Sequence, residues 1–185
     1  MSSDTSTIIF DFRDELRLLR DHLQMGQDRL VLVESCTAGM ASGLLGQIPG
    51  ISQFLCGSIV VYRNDSKHQW LGIENSLLED PKIGPVSAEV TKALANSALE
   101  RTPEATIAAA ITGHLGPNSP NDLDGIVFTS VVRRRDLQQA HAIQHRLLHR
   151  TPRDSDDWHA RQQRQFEAVR ILYVAMNNAF GVIGA

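Results

Sequence analysis

Four side chains in this 185-residue chain could make or break a bond to carbon or move a proton: Ser35, Cys36, Tyr62 and Lys67. Ser35 and Cys36 follow an apolar, β-branched run, Leu30-Val31-Leu32-Val33, that reads as a buried strand. After them Met40, Leu44, Leu45 and Ile48 recur at helical spacing until Pro49-Gly50. A hydroxyl and a thiol therefore stand between a strand's end and a helix's start, where free N–H groups and a helix dipole would converge. α/β folds commonly place ligands at such a seam. A serine hydroxyl is a weak nucleophile until a base takes its proton. The same Ser35 could instead be an N-cap. Cys36 is the rival nucleophile, or a small packing residue.

Lys67 can act as a base only if its pKa falls from ~10.4 toward neutrality, roughly three units. Tyr62, near the end of a second strand, could orient Lys67 or donate to a substrate, or simply pack. Thr112-Gly113-His114-Leu115-Gly116-Pro117-Asn118-Ser119-Pro120 forms a Gly/Pro/Asn loop after a third strand. Thr112 offers a hydroxyl there, and Gly113 lets backbone approach a ligand. The loop fits neither the P-loop nor the dinucleotide fingerprint, and no G-x-S-x-G elbow surrounds Ser35. His141, His145 and His149 fall four apart, a spacing that shares a face on a helix or a strand. Three such ligands would suit zinc, but the pattern places no acidic partner, and no metal site is assigned. Arg161 and Arg164 could clamp a phosphate or face water.

The elements that must position these groups follow from periodicity. Phe12, Leu16, Leu19 and Leu23 mark a helix that Gly26 can end. Residues 54–62 alternate as a strand that is apolar on both faces, hence expected inside the sheet. Asn64-Asp65-Ser66 starts a short helix carrying Lys67. Ser87 is an N-cap candidate, with Val90, Leu94 and Ala98 facing inward. Ala105 to Ile111 reads as a third buried strand, though its alanines would equally suit a helix. Gly125 to Val132 and Leu137 to Leu148 read as a hairpin with a solvated tip at Arg133–Asp136. Phe166, Val169, Tyr173, Met176 and Phe180 mark a closing helix. Residues 1–7 read as a frayed tail, and 150–157 as a polar connection. The expected architecture is one domain over residues 1–185, an α/β fold: a three-layer α/β/α sandwich with a mixed sheet.

The totals narrow the function classes. Net charge is −3 and the pI is near 6.1, which argues against a nucleic-acid partner. Two cysteines make no disulfide framework, so a cytoplasmic setting is expected. No apolar run approaches the ~20 residues of a membrane span, and the N-terminus lacks a signal-peptide design. Exposed helix faces are compatible with a homodimer or higher homo-oligomer.

Taken together, VESCTAGMASGLLGQIPG (33–50), GSIVVYRNDSKHQWLGI (57–73), GPVSAEV (84–90) and ITGHLGPNSP (111–120) resemble the C-terminal domain of the competence/damage-inducible CinA family. The blocks occur in the family's order. The likeness covers roughly residues 10–135 well and the last helix loosely. It implies a three-layer α/β/α fold without the family's larger N-terminal domain. It further implies an amidohydrolase that converts nicotinamide mononucleotide to the nicotinate nucleotide and ammonia, a step of pyridine-nucleotide (NAD) salvage, without metal or organic cofactor. By position Ser35 matches the nucleophile, Lys67 the base, and Tyr62 and Thr112 residues lining the site. Arg161 matches the arginine that opens the last helix. N–H groups near Thr37 and Ala38 would hold an oxyanion, at ~3 kcal/mol per donor in the transition state. A non-catalytic nucleotide-binding module, or an amidase for another small amide, is the alternative. The family's second glycine is Ala38 here, and Asp122-Leu123-Asp124 replaces a lysine and proline before Gly125. Two carboxylates beside a phosphate would repel it by ~1 kcal/mol each at contact.

Overall fold

The computed structural model describes residues 11–117, 119–120, 122–139, 141–148 and 158–181. The frayed tail expected at 1–7, the connection at 150–157 and His149 lie outside the described residues.

Five strands form one mixed sheet in the order β2-β1-β3-β4-β5. β1 (Leu30–Glu34), β2 (Leu55–Val60) and β3 (Ile107–Gly113) are parallel. β4 (Ile126–Arg133) runs antiparallel to β3, and β5 (His141–Arg146) antiparallel to β4. The expected three-layer α/β/α sandwich with a mixed sheet is therefore the observed architecture.

The alternation of β1 and β3 divides the core. Leu30, Leu32, Ile107, Ala109 and Ile111 face a layer made by α1 (Arg13–Gly26), α2 (Met40–Leu45) and α6 (Trp158–Gly181). Val31, Val33, Ala108 and Ala110 face α3 (Asn64–Leu71), α4 (Asn75–Leu78) and α5 (Ala88–Arg101). Three successive alanines on β3 leave room for helices to approach both sides of the central strand. Ser87 caps α5 as expected, its Oγ accepting from Val90 N at 3.2 Å.

Several expectations are corrected. β2 lies at the sheet's edge, not inside it, and every residue of it is half-buried. Its apolar faces are covered by neighbouring layers, while its outer hydrogen-bonding edge is unpaired among the described strands. α1 ends at Gly26 as expected, with Gln27 after it in the left-handed region (φ 51°). The hairpin's second strand is shorter than 137–148, because residues 134–139 turn as 3-10 helix before β5. Its tip is exposed at Arg134 and Arg135 as expected, yet Arg134 also donates to the carbonyls of Leu99 (2.6 Å), Thr102 (3.1 Å) and Ala105 (2.9 Å), closing the end of α5. Arg133 pairs with Asp28 at 3.5 Å and lies 4.4 Å from the Phe180 ring centroid. Arginine stems bury readily once backbone acceptors or a ring face are in reach.

Candidate active site

Parallel β1, β2 and β3 end on the same side of the sheet, and each leads into one of the groups singled out above. β1 runs into Ser35, whose N–H still pairs with Ile111 O at 3.1 Å. Ser35 therefore follows the alternation of Val31 and Val33, toward the layer of α3 and α5. Cys36 takes the opposite side and joins the core beneath α6. A methyl group built on Gly113 would collide with Val127 and lie 3.1 Å from Cys36 Sγ, so that side is closely filled. Burial pushes the Cys36 thiol up to about 12. A thiol kept protonated in the core is no nucleophile, which leaves the hydroxyl.

Ser35 is not an N-cap. α2 starts at Met40 with Gly39 (φ 92°) before it, and spans only six residues. Its positive end is already occupied. Glu34, fully buried, turns its carboxylate into that end. Oε2 accepts from Thr37 Oγ1 (2.8 Å), Gly39 N (3.0 Å) and Ala41 N (3.0 Å). Oε1 accepts from Ser42 N (2.8 Å) and Ser58 Oγ (3.1 Å). The carboxylate ties β1, β2 and α2 together and fixes the turn carrying Ser35. Sequence reasoning missed it. The available signal was an acid closing a buried strand, just before a turn of small residues rich in N–H groups.

The same turn shows which donors face outward. Ala38, at φ 53°, gives its N–H to Ser35 O at 3.2 Å. Of the two expected oxyanion donors, Thr37 N–H is the one without a partner among the described residues. Ala38 adopts the left-handed backbone that a glycine would adopt without strain.

β2 leads through Tyr62 into α3, whose buried residues are Lys67 and Leu71, one turn apart. Lys67 is 3% exposed. Among the described residues its ammonium has no carboxylate partner, and its one hydrogen bond, to Asn64 Oδ1, is long at 3.5 Å. Burial lowers its pKa, opposed by the Cys36 thiol. That is the perturbation a lysine base needs. Tyr62 itself is more than half exposed at the rim.

β3 ends in Thr112, fully buried and on the face that Ser35 and α5 share. Thr91 Oγ1 donates to Ser87 O at 2.6 Å, so the 2.7 Å contact with Thr112 must use the Thr112 proton. One hydroxyl carries one hydrogen; Thr112 is thereby fixed as donor to Thr91, with its remaining lone pair an acceptor. Arg161, in the first turn of α6, bridges the rim. It donates to Tyr62 OH at 2.9 Å and to Gly116 O. Gln165, one turn on, reaches Cys36 O at 3.3 Å. The last helix thus closes over strand ends that are far from it in the chain.

The acids before Gly125 are less repulsive than their count implies. Asp124 makes a bidentate pair with Arg164 at 2.7 and 2.8 Å, and the Arg164 side chain is 2% exposed. The guanidinium holds the Asp124 carboxyl below the usual carboxylate range. Arg146 adds bonds to the carbonyls of Asp124 (3.1 Å) and Asp122 (3.3 Å). Asp124→Asn is expected to cost about 3 kcal/mol in urea unfolding at pH 7, because it strips a bidentate partner from a buried cation. A depressed carboxyl contributes stability above its unfolded pKa and loses it as pH falls through the folded value. The gap between wild type and Asp124→Asn should therefore narrow as unfolding is repeated toward pH 3.

No metal cluster forms among the described residues. His145 instead shares a 2.9 Å hydrogen bond with Thr129 Oγ1. No helix among the described residues is long and apolar enough to cross a membrane. A cavity of about 590 Å³ is lined by Gln24, Arg29, Ser52, Cys56 and Glu104 at the opposite end of the strands, away from this chemistry.

The fold and the rim together define a class: a three-layer α/β/α domain whose parallel strands present a serine, a buried lysine and a threonine at one edge. The CinA C-terminal domain profile matches residues 15–155, and the chain belongs to that family. A CinA-like protein of Chlorobium phaeovibrioides is 34% identical over 131 residues, 70% of this chain and 30% of the relative. One of Geobacter metallireducens is 41% identical over 104 residues, 55% of this chain and 24% of the relative. The chain thus spans roughly a quarter to a third of these curated relatives. Among solved structures, the competence/damage-inducible protein CihA of Agrobacterium tumefaciens is similar with a TM-score of 0.74 and 26% identity, covering 93% of this chain and 99% of that one. A CinA superfamily protein of Klebsiella pneumoniae shares the fold, with a TM-score of 0.79 at 20% identity over 94% and 99% of the two chains.

Proposed function

We propose that this chain is an amidohydrolase that deamidates nicotinamide mononucleotide, with Ser35 as nucleophile and Lys67 as base. The supporting observation is Lys67 itself. It is buried with no carboxylate partner among the described residues, its pKa is lowered, and it lies in the layer toward which Ser35 points. Ordinary structural lysines avoid that environment.

Ser35 Oγ attacks the carboxamide carbon while Lys67 Nζ accepts its proton. The Thr37 N–H stabilises the oxyanion. The C–N bond then breaks, and Lys67 returns the proton to the leaving nitrogen, which departs as ammonia. Water releases the nicotinate nucleotide from the acyl-serine. Thr112, with a lone pair to spare, suits an amide N–H of the substrate, and Arg161 suits its phosphate. Pairing of Asp124 with Arg164 supports the nucleotide reading, since it offsets the charge that would repel a phosphate.

The test is ammonia release from nicotinamide mononucleotide by wild type, Ser35→Ala and Cys36→Ala. The expected result is turnover in wild type and Cys36→Ala, and a loss of ~10³-fold or more in Ser35→Ala. Undiminished activity in Ser35→Ala would overturn the scheme. Saturable binding of the nucleotide by wild type with no ammonia would identify a binding module instead. Turnover of a different amide alone would reassign the substrate.

A further inference from the structure

The scheme above gives Lys67 the proton transfers of acylation and assigns no group to the water of the second half-reaction. The segment just after β3 brings a second titratable nitrogen to the same rim, where Lys67 of α3 is one of the groups that act on it. His114 follows Thr112 and Gly113 directly, and its backbone continues the β3–β4 ladder. Its N–H donates to Ile126 O at 2.8 Å, and its carbonyl accepts from Gly125 N at 2.8 Å. The position lies one residue past the end of β3 and is tied by these two bonds to the start of β4. The alternation of β3 carried on by one residue puts His114 on the face of Ala110 and Thr112, the face toward α3 and α5. This is the side to which Ser35 points and on which Lys67 is buried.

The imidazole is half-buried, so one edge meets solvent. Among the described residues neither ring nitrogen has a hydrogen-bond partner, unlike those of His22, His68 and His145. The charged groups that act on it are Lys67 from α3 and Asp122 and Asp124 from the 114–124 loop. Asp124, paired with Arg164, and Asp122 pull toward the imidazolium, and burial outweighs them. Burial is the largest influence on the ring and favours its neutral form, which keeps an acceptor nitrogen.

We propose that His114 is the general base of the deacylation step, an inference that rests on the Ser35 amidase reading. A ring nitrogen takes a proton from water as the water oxygen attacks the acyl carbon of the Ser35 ester. As the bond from that carbon to Ser35 Oγ breaks, the imidazolium returns its proton to Oγ. The products are the carboxylic acid and free serine, and no further reactant is consumed.

The experiment follows ammonia and acyl-enzyme separately, using nicotinamide mononucleotide with wild type, His114→Gln and His114→Ala. Ammonia release reports acylation, and intact-protein mass reports the acyl-serine. In both variants an initial burst of ammonia at the wild-type rate is expected. Steady-state turnover should then fall ~10²–10⁴-fold as acyl-enzyme accumulates. Added imidazole should restore turnover of His114→Ala, with a pH dependence following the imidazole base. Steady-state rates within about twofold of wild type, or burst and steady state falling together without acyl-enzyme, would overturn the proposal. If His114→Ala does not fold, His114→Gln decides alone. Failure of the parent reading looks different. In that case wild type itself releases no ammonia and Ser35 is never acylated, and both proposals fall.

Discussion

Lys67→Met is expected to abolish ammonia release, by ~10³-fold or more, while leaving the protein at least as stable as wild type at neutral pH. The two halves belong together. Methionine fills about the volume of a lysine stem and carries no charge to desolvate. Lys67 sits 3% exposed with no carboxylate partner among the described residues, so its charged form is disfavoured by folding. The linkage has a definite sign. A lysine whose folded pKa is lowered binds fewer protons folded than unfolded, between the folded value and the ordinary lysine value. Wild-type stability therefore rises with pH across that window, and Lys67→Met lacks the rise. The stability advantage of the variant should be greatest below the folded pKa of Lys67 and shrink toward pH 10. Urea unfolding at a series of pH values measures this, and an ammonia assay on the same preparations measures the activity. A structural lysine held by its charge would behave oppositely: the variant would be less stable at pH 7. That outcome would remove the base from the mechanism.

How far the sequence alone revealed this site depended on the range of each interaction. Local periodicity was enough for α1, α5, α6, β1 and β3, because each buries one face or both over several turns or pleats. It was enough also to set Ser35 and Lys67 after consecutive parallel strands, and parallel strands share an end. What it could not supply was strand order. Residues 55–60 are apolar on both faces whether the strand is central or at the edge, since only the lateral hydrogen bonds differ. Side-chain partners from distant segments were equally hidden. Asp124 read as a free charge because Arg164 meets it forty positions away. The acceptors of Arg133 and Arg134 were hidden because they lie on the α1–β1 and α5–β3 connections and on α5 itself. The choice between Ser35 and Cys36 needed only strand parity, but parity becomes useful once the faces have been assigned. His114 reads as part of the loop and does lie just past β3, but its two backbone bonds to the start of β4 are not visible in the sequence.

Glu34→Ala is expected to destabilise the protein by about 3–5 kcal/mol, and Glu34→Gln by about 3 kcal/mol, although neither removes a residue of the proposed chemistry. Five donors converge on this carboxylate: three backbone N–H groups from Gly39, Ala41 and Ser42, and the hydroxyls of Thr37 and Ser58. Alanine leaves all of them without an acceptor in a site that excludes water. Glutamine keeps the shape and one oxygen. Its NH2 group, however, points a donor at donors, so part of the cluster is opposed and not merely unpaired. Charge also matters, because hydrogen bonds to an ionised acceptor are roughly twice as strong as neutral ones. Total stability of a domain this size is typically 5–15 kcal/mol, so a loss of this order brings Glu34→Ala near the threshold for folding. Thermal and urea unfolding of Glu34→Gln is the cleaner measurement. A second consequence separates this role from simple core packing. The Ser35–Gly39 turn is held by the same carboxylate, so Glu34→Gln should lose turnover beyond its loss of folded protein, with kcat falling more than KM rises. If the glutamine variant matched wild type in both stability and kcat, the carboxylate would not be what holds the nucleophile in place, and the geometry of the turn would have to come from Tyr173, whose hydroxyl donates to Ala41 O at 2.6 Å from the opposite side of α2.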